Sequence, residues 1–352
     1  MSSQMRHRNR GVLVLAGLGI ALAVTVVLSL AVGAAAVPMA AVVGALLDTV
    51  GLNPTSPVDR QFAAIVVDIR LPRVLLGMLV GGGLACAGAM MQGIFRNPLA
   101  DPGLIGVSNG AAVAAVAVIV LPLGWFGGVL GEFALPLAAF AGGLVATVLV
   151  YRLGRLRGSS DVATLLLAGI AVNAIAGAGT GILVYSADNE RLRDLTFWLM
   201  GSLSGATWGW VAAVTVPMGV AMVAMPSLAR ALNAFLVGEA VAGHLGYPVD
   251  RIKQAGIALA ALAVGAAVAA TGVIGFVGLV VPHLIRLAFG ADHRLLLPAS
   301  GLLGATLLLL ADLLARTVVA PAELPIGIVT ALLGGPFFLY LLRRSAYGRI
   351  HG

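Results

Sequence analysis

The chain has 352 residues, of which 60% are hydrophobic and only 10% charged, and its mean hydropathy is +1.06. A soluble globular chain carries about 25% charged residues, so this one cannot cover itself with polar surface. Disorder is excluded by the apolar content, and a disulfide scaffold by the single cysteine, Cys86.

The net charge of +7 comes from 21 basic and 14 acidic residues. It belongs to a membrane protein's loops rather than to a nucleic-acid binder, so no nucleic-acid partner is expected. With 47 glycines, many of them inside apolar stretches, close helix–helix packing is favoured. Long continuous apolar runs replace the short alternating segments of an outer-membrane barrel. Lys253 is the only lysine, and it lies in Asp250-Arg251-Ile252-Lys253-Gln254. A phosphate-binding loop needs its lysine after a glycine-rich turn. By that device this chain does not bind ATP.

Apolar windows of about 20 residues, the length that crosses a bilayer, predict ten spans. They fall at roughly 11–33, 74–95, 103–122, 128–150, 162–186, 207–229, 254–274, 276–290, 295–315 and 324–342. The first follows Arg6, Arg8 and Arg10 but is longer than a signal peptide's apolar core, so it reads as a permanent span. A tight turn or broken helix is expected between Gly272 and Gly278.

An even number of spans puts both termini on one side. Segments there carry Arg6, Arg8, Arg10, Arg96, Arg152, Arg155, Arg157, Arg230, Arg251, Lys253, Arg286, Arg294, Arg343, Arg344 and Arg349. The other side carries only Arg60, Arg70, Arg73, Arg191, Arg193 and Arg316. The positive-inside bias makes both termini cytoplasmic. Trp125, Trp198, Trp208 and Trp210 fall near outer span ends, as an interfacial belt would.

Two outer segments follow, at 34–73 and 187–206. The first holds the turn-rich Gly51-Leu52-Asn53-Pro54-Thr55-Ser56-Pro57 and ends in Arg70-Leu71-Pro72-Arg73. The second is charged and then apolar-aromatic, which suits a short interfacial helix. On the inner side, 230–253 is too polar to span. Leu232, Phe235, Leu236 and Glu239 recur at helical spacing, with Gly238, Gly243 and Gly246 as breaks. It reads either as a surface helix or as a docking element for a cytoplasmic partner.

Asn97-Pro98-Leu99-Ala100-Asp101-Pro102-Gly103 is a turn. It is a plain connector or a constriction at the inner mouth of a pore, formed by Asn97 and Leu99. Gly106-Val107-Ser108-Asn109-Gly110 matches the short G-x-S-x-G pattern, but it lies in an apolar helix rather than a strand–turn–helix elbow. An intramembrane protease is a remote alternative. Asp312 is the one acid well inside a span, and intramembrane acids are costly. It suits either an ion-coupled carrier or a helix pair with Arg316 at i+4. His244, His283, His293 and His351 lack metal-ligand spacing, and no metal site is assigned.

Several ordered stretches together resemble one family. They are Arg70-Leu71-Pro72-Arg73, Gly88-Ala89-Met90-Met91-Gln92, residues 97–106, Gly275-Phe276-Val277-Gly278-Leu279-Val280-Val281-Pro282-His283 with Arg286, Asp292-His293-Arg294, and Glu323-Leu324-Pro325-Ile326-Gly327. They are similar to the iron-chelate and cobalamin permeases of bacterial ABC importers, over about 60–345. The resemblance implies an all-α integral membrane fold of about ten helices in one domain, 1–352, in the bacterial inner membrane. It implies a homodimer with two cytoplasmic ATPase subunits and a periplasmic substrate-binding protein. It implies no enzyme activity and no permanent cofactor, since the ATP is used by the partner.

By the same resemblance Arg70, Arg73 and Arg316 dock the binding protein. Asn97 and Leu99, with Val162 and Ala163, match the cytoplasmic gate; the cobalamin permeases have hydroxyl residues at the latter pair. Leu232, Phe235, Leu236, Gly238, Glu239, His244 and Leu245 match the ATPase-coupling helices. The stretch 193–203 looks more like the heme permeases than the cobalamin one. Heme is therefore the expected cargo, with a ferric siderophore or cobalamin as the alternative.

Overall fold

The computed structural model describes residues 3–33, 35–49, 51–52, 59–121, 131–155 and 162–350. The turn-rich stretch at 53–57 and Trp125 lie outside the described residues. No strand occurs among the described residues. In chain order the helices are α1 (Ser3–Ala31), α2 (Met39–Thr49), α3 (Arg60–Ala64), α4 (Leu71–Ile94), α5 (Val107–Val120), α6 (Ala134–Gly154), α7 (Val162–Ser186), α8 (Asn189–Met200), α9 (Trp208–Ala224), α10 (Ala229–Val237), α11 (Glu239–His244), α12 (Val249–Thr271), α13 (Val277–Phe289), α14 (His293–Ala315) and α15 (Ile326–Ile350).

Each predicted span meets one helix: α1, α4, α5, α6, α7, α9, α12, α13, α14 and α15. Among the described residues, seven apolar helical runs are long enough to cross a membrane alone. The helices α5 and α13 hold 14 and 13 residues, about 20 Å each at 1.5 Å per residue. They reach further through short lead-ins: a 3₁₀ turn at Pro102–Ile105 before α5, and the non-helical residues 272–276 before α13. The expected break there is present, with left-handed backbone at Gly272 (φ 70°) and Phe276 (φ 69°).

Boundaries differ from the sequence reading on both sides of the bundle. Helix begins at Arg60, inside the first outer segment, and runs unbroken to Ile94 over 35 residues. Asp68, Arg70 and Arg73 interrupt the apolar window there, but a widened π-helical turn at Ile65–Arg70 carries the chain through. On the inner side α9 continues through a 3₁₀ turn at Met225–Leu228 directly into α10, and α12 starts at Val249 rather than near 254. The short helix expected in 187–206 is present as α8, capped by Asp188, whose carboxylate accepts from the Arg191 N–H at 2.9 Å.

The helix α4 is the axle of the bundle. It is buried over most of its length and packs against α9, α12, α13 and α14. Its glycines allow this. A Cβ on Gly81 would stand 2.4 Å from the Gly304 carbonyl oxygen of α14, and one on Gly304 equally close to that of Gly81. At Gly88 the clearance to the Gly278 oxygen of α13 would be 1.8 Å. Backbones this close gain van der Waals packing, which drives association where lipid removes the hydrophobic term.

Candidate translocation and coupling sites

At the end opposite the termini, α1 stops at Ala31, and a helix end leaves its last four carbonyls without intrahelical donors. Here all four are accounted for. The Val32 N–H donates to Leu28 O at 2.8 Å. Arg316 Nη2 donates to Ser29 O at 2.7 Å. Arg70 Nη1 donates to Leu30 O and Ala31 O at 2.7 and 2.8 Å, and its Nη2 to Ala35 O. The guanidinium fork suits this bridging.

Beside them Arg73 grips Asp312, its Nε and Nη2 donating to Oδ1 at 3.0 and 2.8 Å. Its Nη1 donates to Glu323 Oε1 at 2.9 Å. Arg316 Nε lies 3.4 Å from Asp312 Oδ2, an ion pair without hydrogen-bond alignment. The i+4 pair expected for Asp312 is therefore present, with a stronger partner added from α4.

Arg70, Arg73 and Arg316 are 5%, 9% and 5% exposed. The structure thus places the three arginines expected at a docking rim beneath the surface, in one cluster that binds the ends of α1, α4, α14 and α15. Docking would have to compete with partners inside the same chain.

At the other end, α4 finishes at Ile94 and the chain turns sharply. Arg96 takes left-handed backbone (φ 50°), uncommon for a side-chain-bearing residue. Asn97 Oδ1 accepts from the Leu99 N–H at 2.9 Å, and Asp101 Oδ1 from the Gly103 N–H at 2.7 Å. Burial pushes the Asp101 carboxyl above its ordinary value, opposed by the Gly103 bond. Asn97 and Leu99 both face outward, and Val162 and Ala163 open α7 at the same end. No bond joins the two pairs.

The residues expected to meet the ATPase divide by face. Leu232 and Phe235 are fully buried and anchor α10, while Leu236 and Leu245 are 46% and 66% exposed. Gly238 (φ 129°) makes the break between α10 and α11, and His244 ends α11 in the open.

Glu239 is the junction. Its Oε2 lies 2.5 Å from Lys253 Nζ on α12, and its Oε1 lies 3.6 Å from Arg96 Nη2. The only lysine is thus 1% exposed and bound to the first residue of α11.

A second tie joins α10 to α14. Asn233 Nδ2 donates to Asp292 Oδ1 at 2.6 Å, and Asn233 Oδ1 accepts from the His293 N–H at 2.9 Å. Burial raises the Asp292 carboxyl, but hydrogen bonds from the Arg294 N–H and the Asn233 amide, with the Arg294 and His293 charges, hold it below its ordinary value.

One polar pair escaped the sequence reading. Asn109 Nδ2 donates to Asn173 Oδ1 at 2.9 Å, an exposed contact, and Asn173 Nδ2 donates to Gly103 O at 3.0 Å. Asn173 lies eleven residues into α7, about 16 Å along the helix axis, so these amides stand deep in the membrane. Exposed amides are costly against hydrocarbon, which argues for a wet cavity on this side. The pair spans 64 residues, so no local spacing announces it. Ser108 stands in a helix, and no strand–turn–helix elbow exists among the described residues. Among the described residues no group of three His, Cys, Asp or Glu gathers to hold a metal.

The sequence profile of the FecCD transport family matches residues 21–344. The hemin transport system permease of Yersinia pestis is 48% identical over 281 residues, 80% of this chain and 84% of that protein. A cobalamin import system permease of Halobacterium salinarum is 48% identical over 286 residues, 81% of this chain and 75% of its own. A vitamin B12 import permease of Escherichia coli O157:H7 is 43% identical over 282 residues, 80% and 84% of the two chains. A solved metal-chelate type ABC transporter in an inward-facing conformation superposes with a TM-score of 0.81 at 33% identity, covering 94% of this chain and 98% of that one. With the ten-span helical fold, the profile and these relatives, the chain belongs to the FecCD transport family as a multi-pass, non-catalytic permease subunit of an inner-membrane ABC importer.

Proposed function

We propose that the chain moves heme, or a related iron chelate, from a periplasmic binding protein to the cytoplasm as a homodimer driven by two separate ATPase subunits. The observation that carries the path is the exposed Asn109–Asn173 pair, deep in the membrane on the sparsely covered helix α7. Amides there serve a watery conduit at the axis between two copies, with Asn97, Leu99, Val162 and Ala163 at its cytoplasmic mouth. The 48% identity to a hemin permease supports heme. The cobalamin reading is the second, supported by an equally identical relative. Val162 and Ala163 are apolar where the resemblance implies hydroxyl residues for a cobalamin permease, and this weighs against it.

In this reading 34–73 and 187–206 face the periplasm. The Arg70–Arg73–Arg316 cluster shapes the docking surface, chiefly by fixing the helix ends beneath it. Residues 230–253 take the ATPase stroke. Leu236 and Leu245 offer it apolar contact, and Glu239 passes motion to Arg96, next to the gate, as a rigid-body shift.

The test is uptake in vesicles holding the permease, its ATPase and its binding protein. Heme uptake is expected to need all three and to stop with vanadate, and the ligand on the binding protein is expected to show the heme spectrum. Uptake by the permease alone without ATP hydrolysis would falsify the importer reading. A corrinoid spectrum would replace heme with cobalamin.

A further inference from the structure

A cavity of about 640 Å³ lies between α6 and α12, and no residue of the Asn109–Asn173 pair or of 230–253 lines it. One end is lined by Leu144, Val148, Ile257 and Ala261, the other by Tyr151, Arg152, Arg155 and Gln254. Eight residues separate Leu144 from Arg152, so the slot runs about 12 Å along the helix. Its polar end lies at the side of the termini, the inner leaflet by the charge bias. Val148 is 49% exposed, so the slot opens sideways to lipid.

Three features fit one kind of occupant. The lining holds two arginines and no acid. Among the described residues neither Arg152 nor Arg155 makes an ion pair. The polar end gathers both guanidiniums beside the Gln254 amide. A phosphate at the arginine end would accept from the two guanidiniums, and an acyl chain would lie along the aliphatic walls. Basic pockets between spans on the cytoplasmic side are suited to anionic headgroups.

We propose that this slot is a binding site for one anionic phospholipid of the inner leaflet. The site depends on the membrane location and orientation, not on the cargo or the ATPase stroke.

The test is native mass spectrometry of the purified permease loaded with phosphatidylglycerol or phosphatidylcholine. Wild-type protein is expected to retain one phosphatidylglycerol per protomer under activation that strips phosphatidylcholine. The double variant R152Q/R155Q is expected to lose roughly 30-fold in apparent affinity, the worth of two arginines near an anionic surface. A258W, which fills the slot beside Ile257, is expected to lose retention with the charges intact. R343Q removes an exposed arginine elsewhere at the same end and is expected to retain the lipid as wild type does. Inorganic phosphate is expected not to displace the lipid.

Equal retention of the two lipids, or equal loss in R343Q, would overturn the proposal. So would displacement by phosphate alone, or an R152Q/R155Q effect on dimer content without one on lipid. Size-exclusion profiles of each variant separate these outcomes from misfolding.

Discussion

Arg73 holds two acids, Asp312 and Glu323, from a position nearly out of solvent. Removing one partner of a buried pair leaves an uncompensated charge, which costs about 3–5 kcal/mol. Arg73→Ala is therefore expected to lower the melting temperature in detergent sharply, and adding Asp312→Asn to recover part of the loss. Full stability in Arg73→Ala would show that the cluster is not structural.

Asp292 makes a milder case. As the cap of α14, its loss in Asp292→Ala is expected to cost about 0.5–2 kcal/mol. Its folded pKa is depressed, so its stabilisation is present above the unfolded value of about 3.9 and fades as pH falls through the lower folded value. Melting curves of wild type and Asp292→Ala are thus expected to differ at pH 7 and to converge in strong acid. At this scale the sequence showed which residues carry charge but not whom they meet. Arg73 and Asp312 are 239 positions apart, and only the i+4 contact of Asp312 with Arg316 is a local spacing.

Between helices, the close crossings have little room to change. Gly88→Ala sets a methyl against the Gly278 carbonyl, where no side chain can move aside. The cost is expected to reach or exceed the usual overpacking penalty of about 1–3 kcal/mol, read as lost yield and a lower melting temperature. On the inner face, Leu245→Glu is expected to weaken ATPase association roughly tenfold, as loss of an apolar interface anchor does, measured by titrating the ATPase onto the permease in nanodiscs. Glu239→Gln is expected to leave that association intact while uptake per ATP hydrolysed falls. Unchanged coupling would remove Glu239 from the path between stroke and gate. Helix existence was legible from apolar length alone. Boundaries slipped where charge and helix coexist, at 60–73 and 249–253, because hydropathy windows cannot tell a charged helical turn from a loop.

The whole molecule inserts in one direction, which its only cysteine makes easy to check. Cys86 is buried, so Cys86→Ser gives a background for single reporters. Glu190→Cys is expected to react with an impermeant maleimide in intact cells, and Leu245→Cys only after permeabilisation; the reverse pattern would invert the topology. The ten spans were legible because lipid forces long apolar runs. The Asn109–Asn173 pair was not, since the two amides meet only after α5 and α7 pack. The seating of Lys253 has one more consequence. With its amine held by Glu239 under α11, no other lysine of this chain competes for an acylating reagent, so the label is read on this chain alone. Side-chain amine labelling thus becomes a clock for the lifting of α11 from α12, read in the native transporter without introducing a probe.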